Sequence, residues 1–183
     1  MAETIVQEIT TTIQGLKEGL KSYPIRDLVK HAEKFGSHLK QQRLETNQVR
    51  KFLDAINQLK AQLTQPDEII LQELNRIQNK AEQEKSQIKE QKDISSEDLL
   101  TKIKNIQKKA DLEKGEIIFA QIEADVVLLK PKLAYASARQ KAAKPLADVM
   151  SAAIDKVKSK EDFERLVQLI ESIIAYHKAE GGK

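Results

Sequence analysis

The chain of 183 residues has no cysteine and no tryptophan, only 4% aromatic residues, and just six glycines and four prolines. The lack of cysteine excludes disulfides, a thiolate nucleophile and any cysteine-based zinc site, and it fits a cytosolic protein. The scarcity of aromatic and β-branched runs bounded by turn residues argues against a sheet protein. No stretch approaches the roughly 18 apolar residues of a membrane span, and the opening MAETIVQEIT lacks the charged start and apolar core of a signal peptide. A soluble, cytoplasmic protein with no membrane partner is expected.

Catalytic signatures are missing too. There is no G-x-S-x-G, no Walker loop and no H-E-x-x-H, and the carboxylates are spread along helical patterns as i, i+3 and i, i+4 partners. His31 and His38 are about 10 Å apart along a helix, and His177 is remote in sequence. The sequence therefore predicts no catalytic residue, no metal and no cofactor.

What is present is charge, evenly mixed overall and uneven along the chain. Thirty-one Lys and Arg face 28 Asp and Glu, a formal net of +3, so affinity for a polyanion must come from where the charges sit. Val126 to Ala147 carries Lys130, Lys132, Arg139, Lys141 and Lys144 and no acidic residue. Such a segment suits a phosphate backbone, because each Lys or Arg that meets a phosphate releases condensed counterions. A block of like charge is more often a solvated surface. Lys34 to Leu44 and Thr46 to Leu53 are also acid-free, with Lys34, Lys40, Arg43, Arg50 and Lys51. Residues 64–126 hold 10 Lys and Arg against 14 Asp and Glu, a net of −4, which leaves 21 against 14, or +7, for the rest. The basic surface is thus expected outside the middle of the chain.

Helix signals follow one another. After an amphipathic stretch through Leu20, Pro24 suits a first helical turn, and Leu28, Ala32, Phe35 and Leu39 repeat at helical spacing. Thr46 is a good N-cap for a helix burying Val49, Phe52, Leu53, Ile56, Leu59 and Leu63, with Arg50 and Lys51 on its sides. From Pro66 to about Lys92 a polar segment carries a thin stripe of Ile70, Leu74, Ile77 and Ala81. Ser95 and Asp98 then cap a second segment with Leu99, Ile103, Ile106 and Ala110 at heptad spacing. Gly115 is expected to end or bend this arm, and Pro131 to break the chain at Lys130. Pro145 opens another helix. Ser159 and Asp162 cap the last, with Phe163, Leu166, Val167, Ile170, Ile173 and Ile174 as its buried face and Gly181 and Gly182 at its end. The expected fold is all-α with six to eight helices: one helical domain over 1–183, a bundle with a protruding antiparallel helical hairpin inserted at 64–115.

Three blocks carry a resemblance: LVKHAEKFGSHLKQQRLETNQVRKF (Leu28 to Phe52), LLKPKLAYASAR (Leu128 to Arg139) and FERLVQLIESIIAYHK (Phe163 to Lys178). In this order the chain resembles the small subunit of type III-A CRISPR effector complexes, the Csm small-subunit family. The runs Thr46 to Phe52 and Lys130 to Ala136 are the most specific. The long hairpin departs from the pattern, since family members usually join the two halves by a shorter connection.

The resemblance implies an all-α, non-catalytic subunit of an antiviral ribonucleoprotein. Its implied partners are guide RNA and target single-stranded RNA, the backbone and large subunits, and further copies of itself. The family contacts the backbone of the nucleic acid, and phosphate contacts position a strand without reading its sequence. Carried over by position, Arg50, Lys51, Lys132 and Arg139 are the expected phosphate contacts, with Lys130, Lys141 and Lys144 as weaker ones. The competing assignment for Arg50 is a surface pair with Asp54, and Tyr135 and Tyr176 are expected in the core rather than stacked on bases. An alternative for the whole chain is a protein-only coiled-coil adaptor with no nucleic-acid role.

Overall fold

The computed structural model describes residues 4–90 and 95–181, and among these the regular secondary structure is all helical. Eight α-helices follow in order: α1 (Ile5–Gln14), α2 (Ile25–Gln41), α3 (Thr46–Thr64), α4 (Glu68–Lys89), α5 (Ser96–Ala120), α6 (Glu123–Arg139), α7 (Lys144–Ile154) and α8 (Lys160–Ala179), with 3-10 turns at Leu20–Ser22 and Lys141–Ala143. Lys92 and Gly182 lie outside the described residues. Among the described residues no helix is long and apolar enough to cross a membrane.

The chain divides into two compact units. One takes the described residues of Met1–Ala61 and Ile122–Lys183, the other Gln62–Gln121. The first is built around α8, which buries Phe163, Leu166, Val167, Leu169, Ile170, Ile173 and Ile174, more than one stripe of its surface. Ser159 accepts from the Asp162 amide, as its spacing predicted, while the buried Asp162 carboxylate accepts from the amides of Lys21 (2.7 Å) and Lys158 (3.1 Å). One carboxylate thus satisfies donors on both sides of the helix start, where the macrodipole favours an anion. At the other end the buried His177 donates Nε2–H to the Leu44 carbonyl at 3.1 Å, and burial pushes its imidazole below its ordinary value.

Helix α2 lies against α8 through Leu28, Ala32, Phe35 and Leu39. It ends in a Schellman arrangement, Leu44 N–H to the Leu39 carbonyl and Arg43 N–H to the Lys40 carbonyl, with Arg43 at φ +58°. Helix α1 docks on α2 and α7 by Ile9 and Ile13. A polar chain reinforces it. The Tyr23 phenol, pushed up by burial, donates to His31 Nδ1 at 2.5 Å, and His31 Nε2 donates to Glu8 at 3.3 Å. Lys34 also donates to Glu8 at 3.3 Å and holds that carboxyl below the usual range. Lys156 closes the C-terminal end of α1 by donating to the carbonyls of Gln14 and Leu16, both at 2.8 Å.

The second unit is an antiparallel hairpin of α4 and α5. Its register is visible in two cross-arm bonds, Lys85 to Gln107 and Lys114 to Gln78, where one arm descends as the other rises. Its core is small: Ile77, Ala81 and Ala110, flanked by half-buried Ile106 and Ile117. Asp67 and Ser95 cap the two arms through the amides of Ile70 and Asp98.

Three local expectations are corrected. Gly115 does not end α5, which runs unbroken to Ala120. Pro131 sits inside α6 without ending it. Its missing N–H would have bonded the Val127 carbonyl, and both residues are exposed, so water can serve that carbonyl while Leu129 and Leu133 hold the helix to the bundle. Thr46 is the first residue of α3 rather than a capping acceptor, and its buried hydroxyl has no hydrogen-bond partner.

Candidate functional site

Helix α3 buries Val49, Phe52, Ile56 and Leu59, which leaves Arg50 and Lys51 exposed on its flanks. Helix α6 buries Val126, Leu129 and Leu133 and leaves Lys132, Tyr135 and Arg139 exposed. The two helices meet at a cleft of about 240 Å³ lined by Lys51, Phe52 and Ala55 from one and Lys132, Leu133 and Ala136 from the other. Ala143 and Leu146 close it. Two cations from distant parts of the chain therefore stand at one mostly apolar cleft, and among the described residues no carboxylate lines it.

The other sequence candidates divide into free and engaged. Arg50 is exposed but does not line the cleft, and no ion pair joins it to Asp54 among the described residues. Arg139 stands over the Tyr135 ring, its guanidinium carbon 5.6 Å from the centroid, and donates to the phenol oxygen at 3.3 Å. Lys141 is exposed in the 3-10 turn. Lys130 is paired with Asp155 at 2.6 Å, and Lys144 holds both oxygens of Asp148 at 2.8 and 2.9 Å. Exposed pairs of this kind contribute little to stability, up to about 1 kcal/mol, yet a phosphate has to displace a carboxylate to use either lysine. Lys34, Lys40 and Arg43 do not line the cleft.

Tyr135 corrects a further expectation. Its side chain is 65% exposed, because Leu133, two residues earlier, takes the inward face of α6. Tyr176 is half-buried beside Gly36, as packing between α2 and α8 requires. No group of three or more His, Asp or Glu able to hold a metal occurs among the described residues.

The bundle is also the more basic unit. Residues 62–121 hold 10 Lys and Arg against 12 Asp and Glu, a net of −2, which leaves 21 against 16, or +5, for the remainder. The family model described as Csm2 Type III-A matches residues 22–96 and 71–183, overlapping in the hairpin. Comparison with curated proteins and with solved structures gives no match.

Proposed function

Since the chain belongs to the type III-A Csm2 small-subunit family and is thereby a structural subunit of a type III-A CRISPR effector complex, we propose that it holds target RNA, paired with guide RNA, through the phosphate backbone. In this reading it performs no chemistry of its own. It packs against the backbone and large subunits and against further copies of itself. The observation that carries the reading is the convergence of Lys51 and Lys132 on one cleft that, among the described residues, no carboxylate lines. Neither lysine has to be released from a carboxylate lining the cleft to meet a polyanion, and Arg50, Arg139 and Lys141 add exposed cations on the same two helices and the turn that follows. Lys130 and Lys144 take a lesser part, given their carboxylate partners.

The test is salt. RNA affinity of the chain, free or in the assembled complex, is expected to fall steeply with ionic strength. Replacing Arg50, Lys51, Lys132 and Arg139 by Ala should weaken binding to unrelated sequences alike and flatten the salt slope by roughly one for each phosphate-binding cation removed. Intact RNA capture by the quadruple variant, with helicity unchanged, would refute the site. A second reading, a protein-only adaptor, is favoured by the exposed Ile69, Leu71, Leu100 and Leu112 of the hairpin. It predicts no salt-dependent RNA binding at all.

A further inference from the structure

We propose that Tyr135, held by Arg139, is a stacking platform for one unpaired base of a bound RNA strand. The inference rests on the RNA-binding reading above and extends it from phosphate contacts to an aromatic one. A solvated tyrosine needs no explanation by itself. Three features set this one apart.

The first is restraint. Arg139, one turn along α6, reaches back over the ring and donates to its hydroxyl, so the ring is restrained by a partner before any ligand arrives. An unbound exposed side chain normally loses rotamer freedom on binding, and a tethered one loses less. The second is access. Tyr135 is 65% exposed, and Ala138, three residues on and so a true neighbour on the helix surface, is too small to crowd the ring, which leaves the face away from Arg139 open. The third is position. Lys132 lies one turn before Tyr135, and neighbours three apart on a helix are about 5–6 Å apart at Cβ. A phosphate on Lys132 and Lys51 would therefore bring its own base, or an adjacent one, within reach of the ring.

Every base has a π-face, so the platform takes any base and favours no sequence. Because a paired and stacked base offers no free face, the ligand is single-stranded RNA, or a nucleotide turned out of a duplex. The surrounding cations, with no carboxylate among the described residues that line the adjoining cleft, favour RNA over an apolar protein segment.

The experiment uses the full chain, both free and in the assembled effector complex, with a single-stranded RNA carrying 2-aminopurine and the same strand fully paired. Binding of the single strand is expected to quench the fluorophore, and Tyr135→Ala to weaken that binding about tenfold and abolish the quench. The loss should be the same at low and high salt, since stacking releases no counterions, whereas Lys132→Ala should change the salt slope. Tyr135→Phe should retain the stack and Tyr135→Leu should not. If Tyr135→Ala leaves affinity and fluorescence unchanged while Lys51→Ala and Lys132→Ala still weaken binding, the platform is wrong and the phosphate reading stands. If neither form of the protein binds RNA, and Tyr135→Ala alters assembly by sedimentation instead, the surface is a protein contact and both readings fall.

Discussion

Gly36 of α2 meets Tyr176 of α8 so closely that a Cβ built on the glycine would lie 2.8 Å from the tyrosine Cβ and 2.7 Å from the His177 backbone nitrogen. A mid-helix glycine costs about 1 kcal/mol relative to alanine, so in open space Gly36→Ala would stabilise the protein. Here it must push the two helices apart. The expected outcome is a loss of about 1–3 kcal/mol, the usual cost of overpacking, read from urea or thermal unfolding. A stabilised variant would show that α2 and α8 do not approach this closely.

His177 supplies the pH dependence. Its folded-state pKa is lowered, chiefly by burial, from an ordinary 6.5. Above that value both states carry neutral imidazole and nothing is lost. Below it the unfolded chain takes up a proton that the fold resists, so stability should fall as pH drops from about 6.5 toward the lowered value. Replacing His177 by Gln should remove that slope whatever it does to overall stability. Glu8, held low first by its hydrogen bond from Lys34, is partly exposed and acts in a separate window. Its contribution is present above the ordinary 4.5 and lost only on further acidification.

How far the sequence told this structure varies with how local the cause is. Ser95 with Asp98 and Ser159 with Asp162 cap their helices as spaced, because a capping bond is closed within three residues. Pro131 and Gly115 misled because helix-breaking tendencies are also local, while the continuity of α5 and α6 depends on which face each residue turns outward. Tyr135 misled for a related reason: apolar neighbours mark a helix as half-buried without fixing where the buried face stops. The meeting of Lys51 and Lys132 is a tertiary event. No spacing encodes it: the acid-free runs marked both segments and the family resemblance marked the positions, but neither brings the two helices together.

Arg43 occupies a left-handed position that glycine usually takes. Gly181, after α8, has φ +77°, and Arg43, after α2, has φ +58°, each just past a helix end. A non-glycine residue there costs about 1 kcal/mol or more, partly offset in glycine by its greater freedom when unfolded. Arg43→Gly should therefore leave the Schellman bonds in place and stabilise the protein by up to about 1 kcal/mol in thermal unfolding. A clear loss of stability would mean that the arginine side chain supports the α2 terminus beyond its backbone bonds.

The hairpin gives the last prediction. Among the described residues the seam cluster is small, Ile77, Ala81 and Ala110 beside half-buried Ile106 and Ile117, and part of its register is set by Lys85 with Gln107 and Lys114 with Gln78. Two helices with so small a core stand near the limit of independent stability, and Ile69, Leu71, Leu100 and Leu112 are left exposed. With a net of −2 over residues 62–121, the hairpin is also a poor match for a phosphate backbone. We expect that replacing 64–115 by a short Gly/Ser linker will change the oligomeric state of the chain or its incorporation into the effector complex, measured by sedimentation and co-purification. RNA affinity per bound subunit should change less than threefold, because Lys51 and Lys132 belong to the other unit. A deletion that assembles normally and loses RNA instead would assign the hairpin, and not the cleft between α3 and α6, to the nucleic acid.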